Sequence, residues 1–164
     1  MIPVISVIAS RSNVGKTTAL CDIIRELKSR DYRVATIKHD VHGFDIDHPG
    51  KDTWMHAEAG ADIVAISSPN KMAIIEKVEE EYSLDQLISK IKNVDIIITE
   101  GYKSEDKPKI EVLRRKMSKD IFSKSDELFA IITDFPINLK IPQFNFFEIK
   151  KLVDLIESNF LKYN

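Results

Sequence analysis

Nine residues near the start of the chain, residues 10–18, constrain its fold more than any other feature. They follow residues 2–9, an apolar and β-branched stretch that predicts a strand buried on both faces of a parallel sheet. After them, apolar residues recur at helical spacing, at Leu20, Ile23, Ile24 and Leu27. The nine residues therefore join a predicted strand to the start of a predicted helix.

This segment matches the phosphate-binding pattern G-x-x-x-x-G-K-[ST], except that Ser10 replaces the first glycine. In such a loop Gly15 lets the backbone turn closely around phosphates, and Lys16 supplies a positive charge. The Thr17 hydroxyl is a ligand for Mg²⁺. At Ser10 two alternatives stay open, an added hydroxyl contact or a turn in ordinary φ space. The predicted nucleotide-binding residues of the loop are Ser10, Arg11, Ser12, Asn13, Val14, Gly15, Lys16, Thr17 and Thr18.

Strands and helices alternate along the rest of the chain. Further strands are predicted at 33–38, 63–67, 71–75, 96–99, 110–113 and 128–133, and helices over 52–60, after Ser83 and over 149–160. This order predicts a three-layer α/β fold of the P-loop NTPase type, with a mostly parallel sheet and helices on both faces. The 164 residues show no repeat or linker, so we expect one domain over residues 1–164.

Three acidic residues, Asp40, Asp95 and Glu100, fall beside the ends of predicted strands. Glu100 ends the run I-I-I-T-E, and in P-loop proteins an acidic residue at such a tip commonly lies near the metal. We predict that Thr17 and Glu100 bind Mg²⁺, and that Asp40 and Glu100 are the candidate catalytic residues. The alternative for Glu100 is a solvated strand end. Asp95, at the start of the same strand, is predicted to cap its far end.

Composition excludes several classes of protein. The net charge is −2 with both signs interspersed, which argues against a nucleic-acid partner. No apolar run reaches the roughly 18–20 residues that a membrane span needs. The apolar opening stretch lacks a basic region before it, so we read it as a strand and not as a secretory signal. The single cysteine, Cys21, fits a reducing compartment, and we expect a cytoplasmic protein without membrane association.

Several segments outside the loop together resemble one known family. They are A-T-I-K-H-D over 35–40, H-G-F-D-I-D-H-P-G-K-D over 42–52, E-A-G-A over 58–61, T-E-G-Y-K over 99–103 and P-K-I-E-V over 108–112. With the phosphate loop, they closely resemble the MobB family of molybdopterin-guanine dinucleotide biosynthesis adapter proteins. Ser10 and Met55 depart from the family pattern, which often has glycine and arginine there.

The resemblance implies a cofactor and partners. It implies binding of GTP with Mg²⁺, weak GTPase activity and a homodimer. It also implies a role beside the molybdenum cofactor guanylyltransferase that attaches GMP to molybdopterin, with molybdopterin as a ligand of the pathway.

The preference for guanine is assigned to Asp134, which follows the predicted strand over 128–133. A carboxylate there can accept two hydrogen bonds from guanine N1–H and N2–H₂, which adenine lacks. The alternative is that Asp134 only begins the turn D-F-P.

Two charged segments leave alternatives open. The histidines and aspartates of residues 39–48 suit a transition-metal site, a switch loop beside the phosphates or a subunit interface. At the predicted strand over 110–113, Lys109, directly before it, and Glu111, within it, alternate with Ile110 and Val112. The surrounding basic residues suit a solvated edge or a contact with an anionic pterin phosphate or an acidic partner. They are Lys103, Lys107, Arg114, Arg115, Lys116 and Lys119.

A competing function is a stand-alone small-molecule kinase or ATPase. Such a kinase usually carries an arginine-rich lid over the transferred phosphoryl group, and no such segment is found in this sequence. A purely structural module is disfavoured because Lys16, Thr17 and Glu100 are all present.

Overall fold

A computed structural model describes residues 1–118, 120–124 and 126–162. Eight strands run over Val4–Ile8 (β1), Val34–Lys38 (β2), Ile63–Ser68 (β3), Lys71–Glu76 (β4), Ile96–Glu100 (β5), Lys109–Leu113 (β6), Leu128–Thr133 (β7) and Gln143–Phe144 (β8) within these residues. The helices are Lys16–Ser29 (α1), Asp52–Glu58 (α2), Leu84–Lys90 (α3) and Ile149–Ile156 (α4), and a π-helical turn over Glu157–Leu161 follows α4.

The main sheet has the order β2-β5-β1-β6-β7-β8 in the described part of the chain. Every pairing between these six strands is parallel, which confirms the predicted sheet. β1 lies in the middle, between β5 and β6, because it carries apolar side chains on both faces. The loop that leaves β1 therefore lies at the centre of the carboxyl edge of the sheet, where open α/β sheets bind ligands.

Helices cover both faces of this sheet, as predicted. On one face α1 and α4 bury Leu20, Ile23 and Leu152 against alternate residues of β1, β5, β6 and β7. On the other face α3 packs Leu84 against Ile37 and Ile97. None of the helices in the described residues is both long and apolar enough to cross a bilayer.

Residues 40–83 form a second compact unit within the chain. The first unit comprises residues 1–39 and 84–164, and it holds the parallel sheet. In the second unit β3 and β4 pair as an antiparallel hairpin around the turn at Pro69 and Asn70, as their sequence predicts. The chain thus contains two compact units. That residues 1–164 form one domain stays a prediction.

The sequence does not predict two features in the last part of the chain. β8 has only two residues, Gln143 and Phe144, and so shows no periodicity. The last predicted helix begins at Ile149 as expected, but its regular α-helix ends at Ile156 and gives way to the π-helical turn. Hydrogen bonds from Tyr32 and Arg30 to Glu157, at 2.7 and 2.9 Å, hold this turn against the end of α1.

Lys109 and Glu111 lie inside the sheet and not on a solvated edge. Both side chains are fully buried, because β6 lies inside the sheet between β1 and β7. Lys109 Nζ donates to Glu127 Oε2 at 2.5 Å and to the Glu105 carbonyl at 2.7 Å. Glu111 accepts hydrogen bonds from the backbone N–H groups of Phe122 and Ser123, at 2.7 and 3.0 Å. The two charges therefore fix the long connections on either side of β6.

Candidate functional site

The predicted phosphate loop leaves the carboxyl end of β1 and turns directly into α1. Gly15 is the N-cap of α1 with φ of 100°, and Asn13 has φ of 61°. Left-handed residues spaced in this way turn successive N–H groups toward one centre, which forms an anion-binding nest. The first turn of α1 adds further N–H groups and the positive end of its dipole. The loop is therefore built to bind an anion.

Ser10 shows both features that the sequence left open, a turn in ordinary φ space and an added hydroxyl contact. Its backbone lies outside the left-handed region, so the serine carries no φ strain there. Its hydroxyl also shares a hydrogen bond with the Ser118 hydroxyl. Lys103 Nζ donates to the Ser10 carbonyl at 3.3 Å, which adds a second tie at the start of the loop.

Lys16 points back over the loop. Its Nζ lies 3.5 Å from the Arg11 carbonyl, which accepts the hydrogen bond. Partial burial lowers the pKa of Lys16, the Glu100 carboxylate raises it, and the nearby cations Lys103 and Lys38 lower it further. Three cations, Lys16, Lys38 and Lys103, thus lie around one carboxylate, that of Glu100, and this net positive charge favours an anionic ligand.

Thr17 and Glu100 meet at the edge of the sheet. β5 lies beside β1 with Glu100 in register with Val7, so the end of β5 faces the start of α1. Thr17 Oγ1 donates to Glu100 Oε1 at 3.0 Å. A hydroxyl and a carboxylate are oxygen donors of the kind that Mg²⁺ takes together with phosphate oxygens and water. The donor set therefore fits the predicted metal, with Thr17 and Glu100 as the residues that would hold it.

The backbone after Glu100 is fixed closely. The His39 N–H donates to the Glu100 carbonyl at 3.0 Å, and the Gly101 N–H donates to the Val7 carbonyl at 3.2 Å. The His39 ring stacks on Tyr102 with centroids 4.9 Å apart. Gly101 has φ of 94°, and a Cβ added there would lie 3.3 Å from His39 Cβ. Only glycine fits without strain at the point where the chain leaves β5.

Asp134 and Asp40 are the remaining predicted site residues. Asp134 follows β7, and its Oδ1 accepts the Arg115 N–H at 2.8 Å, so the carboxylate links the end of β7 to the turn that follows β6. Asp40 follows β2 in the sequence and belongs to the second compact unit, where its Oδ1 accepts the His42 N–H at 3.1 Å. The base contact of Asp134 and the catalytic role of Asp40 stay predictions.

Asp95 caps the far end of β5, as expected, by accepting the Arg33 N–H at 2.6 Å.

Among the described residues, the basic side chains after β5 have several different neighbours. Lys107 pairs with Asp85 at 3.2 Å. Lys103 contacts the phosphate loop, and Arg114 Nε donates to the Val14 carbonyl at 3.2 Å. Arg115 lies over the Phe135 ring at 5.7 Å. Lys119 lies outside the described residues.

Sequence reasoning missed two residues beside the loop. The sequence places Arg114 among the basic residues after the strand over 110–113, and it does not predict β8, beside which Phe146 lies. The Arg114 guanidinium lies 3.8 Å from the centroid of the Phe146 ring, and both side chains come within 3.5 Å of the position where Gly15 would carry a Cβ. The aromatic run F-N-F-F directly before α4 was the signal that could have indicated a loop of this kind.

In the described part of the chain, no three His, Cys, Asp or Glu side chains are grouped so that they could hold a metal ion. This includes the histidines and aspartates of residues 39–48, for which a transition-metal site was one of three alternatives.

Comparison with known proteins identifies the family. The family model described as "Molybdopterin guanine dinucleotide synthesis protein B", MobB, matches residues 4–134. The chain belongs to the MobB family. This confirms the resemblance seen in the sequence.

Curated relatives of the family extend the match over nearly the whole chain. The molybdopterin-guanine dinucleotide biosynthesis adapter protein of Haemophilus influenzae is 33% identical over 92% of this chain and 86% of its own length. The protein of the same name from Escherichia coli is 31% identical over 100% of this chain and 97% of its own length. The structure of Bacillus subtilis MobB has the same fold, with a TM-score of 0.75 over 99% of this chain and 100% of that chain at 24% identity.

The contact at Gly101 gives a prediction about the edge that holds the site. Gly101→Ala should lower the free energy of unfolding by about 1–3 kcal/mol from left-handed strain and by about 1 kcal/mol more from crowding against His39. Gly15→Ala is the matched control, since Gly15 has a similar φ of 100° but ordinary contacts at 3.5 Å. Urea unfolding of the two variants measures the difference. Equal losses would contradict the close packing of His39 on Gly101.

Proposed function

We propose that this MobB-family chain is a GTP-binding adapter protein that assists the attachment of GMP to molybdopterin in molybdenum cofactor biosynthesis. Curated relatives at 33% and 31% identity carry the adapter name, which supports the role. The proposed partner is the molybdenum cofactor guanylyltransferase, with molybdopterin as a ligand of the shared pathway and the cytoplasm as the site of action.

The observation that carries the nucleotide part of the proposal is the arrangement at the end of β1. The nest at Asn13 and Gly15, the Lys16 ammonium and the Thr17–Glu100 pair lie together at the start of α1. The triphosphate would occupy the nest, where the N–H groups and the helix dipole offset its charge. Mg²⁺ would lie beside Thr17 and Glu100 and neutralise the charge on the β- and γ-phosphates.

The same arrangement supports weak hydrolysis. Glu100 accepts a hydrogen bond from Thr17 at 3.0 Å, so its carboxylate is held beside the proposed metal. In this proposal Glu100 orients the water that attacks the γ-phosphate, and a catalytic role of Asp40 stays a prediction. No arginine-rich lid occurs in the sequence, so little stabilises the charge that develops in the transition state. We therefore expect a slow GTPase that chiefly binds its nucleotide.

Guanine selectivity is assigned to Asp134. Its Oδ1 accepts the Arg115 N–H, while its Oδ2 lies 4.0 Å from Arg114 Nη1. The carboxylate is thus held at the carboxyl edge of the sheet with one oxygen committed to the backbone. A site built around acceptors for guanine N1–H and N2–H₂ rejects adenine, because those acceptors would otherwise stay unpaired.

A homodimer is proposed through the hairpin of the second unit. On one face of β3 and β4 the apolar residues Ile63, Met72 and Ile74 are 58, 64 and 59% exposed. A unit of this size has little core of its own to cover such a face. A second copy would bury the same apolar face on each subunit, as a two-fold interface does.

The nucleotide proposal predicts a selective thermal shift. Mg²⁺-GTP at about 100 times its Kd should raise the Tm of the wild type by about 5–10 °C. Lys16→Ala should weaken GTP binding by about 10–100-fold, because a charge-assisted contact to phosphate is lost. Differential scanning fluorimetry and titration calorimetry measure both effects.

Arg25→Ala is the matched control for Lys16→Ala, since it removes an exposed cation from the same helix. It should bind GTP as the wild type does. An unchanged affinity in Lys16→Ala would overturn the proposed site. A shift with ATP and none with GTP would support the stand-alone kinase or ATPase instead.

The homodimer predicts sensitivity to charge on the hairpin. Ile74→Asp should weaken self-association by at least about tenfold, because a two-fold interface buries the substituted position twice. Sedimentation velocity over a range of concentrations measures the change, with circular dichroism to check folding. Glu79→Lys, at an exposed position outside the hairpin, is the control. A well-folded Ile74→Asp protein that stays dimeric would rule out this face.

A further inference from the structure

The turn that follows β6 is closed tightly on itself. The Arg114 N–H donates to the Ser118 carbonyl at 3.2 Å, and the Ser118 N–H donates to the Arg114 carbonyl at 2.8 Å. Residues directly opposite each other in such an antiparallel bridge project their side chains to the same side. The side chains of Arg114 and Ser118 therefore lie on the same side of the turn, where both contact the phosphate loop.

Arg114 holds the end of the phosphate loop. Its Nε donates to the Val14 carbonyl at 3.2 Å, while its guanidinium lies flat on Phe146, 3.8 Å from the ring centroid. The peptide between Val14 and Gly15 is planar and trans, so its carbonyl and its N–H point in opposite directions. By fixing the Val14 carbonyl, Arg114 also fixes the Gly15 N–H, which points away from Arg114.

Ser118 holds the start of the same loop. It is 6% exposed, and its hydroxyl shares a hydrogen bond with the Ser10 hydroxyl. This contact needs a side chain at position 10, where the general pattern has glycine. The replacement of that glycine by Ser10 therefore gains a contact with the turn.

We propose that the turn Arg114–Ser118 positions the phosphate loop for its anion, with Arg114 fixing the Val14–Gly15 peptide and Ser118 fixing Ser10. Both are positioning residues, since they contact other residues of the protein: Ser118 contacts Ser10, and Arg114 contacts Val14 and, at 4.0 Å, Asp134. The inference rests on the proposed binding of a nucleotide by this loop. A loop already held in its binding conformation has less freedom to lose when the ligand arrives, so its affinity is higher.

The first test uses the protein without nucleotide. Arg114→Ala and Ser118→Ala should raise amide hydrogen exchange in residues 10–18 by about tenfold, because the loop opens more often. Lys116→Ala, which removes a cation from the exposed tip of the same turn, should leave exchange in the loop unchanged. Unchanged exchange in both variants would overturn the proposal. So would a rise of equal size throughout the sheet, since the effect would then be global.

The second test is GTP affinity. Arg114→Ala should weaken binding by about tenfold and Ser118→Ala by about threefold. Arg114→Lys keeps the charge but can neither lie flat on Phe146 nor donate from Nε, so it should resemble Arg114→Ala. Full affinity in Arg114→Lys would mean that Arg114 acts by charge alone, and the positioning role would be wrong.

A double-mutant cycle isolates the Ser10–Ser118 contact. Ser10→Gly and Ser118→Ala should each weaken GTP binding, and the double variant should lose no more than the larger single loss. Additive losses would contradict the coupling. The exchange measurement separates the two proposals: a wild type that binds no GTP overturns the proposed function, while faster loop exchange in Arg114→Ala still supports the positioning role.

Discussion

The pairing of β1 with β5 is the constraint on which the rest of the site depends. It puts Val7 in register with Glu100, so that the acidic end of one strand faces the helix that follows the other. A buried hydrogen bond of 2.8 Å from the Thr99 hydroxyl to the Ser6 hydroxyl links the same two strands. A slip of one residue would turn the Glu100 side chain to the opposite face of the sheet and break its contact with Thr17.

The backbone around this pair is shaped so that charged groups can lie close together. Gly15, at the start of α1, and Gly101, directly after β5, take left-handed conformations, one to form the nest and one to let His39 approach β5. Around the nest Lys16 and Lys103 bring positive charge, and Lys103 and Arg114 donate hydrogen bonds to loop carbonyls. Side chains around the nest thus also hold the backbone that would bind a triphosphate.

Much of this arrangement could be predicted from the sequence, because patterns of neighbouring residues indicate its strands, its loop and the start of its helix. The apolar stretch before Ser10, the G-K-T of the loop and the run ending at Glu100 each predict an element and its edge of the sheet. The patterns fail where long-range packing decides. Lys109 and Glu111 read as a charged face, yet β6 is a central strand that buries them, since Glu127 and the backbone N–H groups of Phe122 and Ser123 compensate the charges. The contacts of Arg114 with Phe146 and of Ser118 with Ser10 join residues too distant in the chain for any local pattern to show.

The central claim is that the N–H groups between β1 and α1 bind the polyphosphate of GTP. The most direct measurement is a titration of ¹⁵N-labelled protein with Mg²⁺-GTP, followed by the amide chemical shifts of each assigned residue. The account predicts that the largest saturable changes fall on residues 13–18, with a smaller change at Glu100 beside the proposed metal. Saturable changes confined to other parts of the chain, or no changes at millimolar GTP, would contradict it.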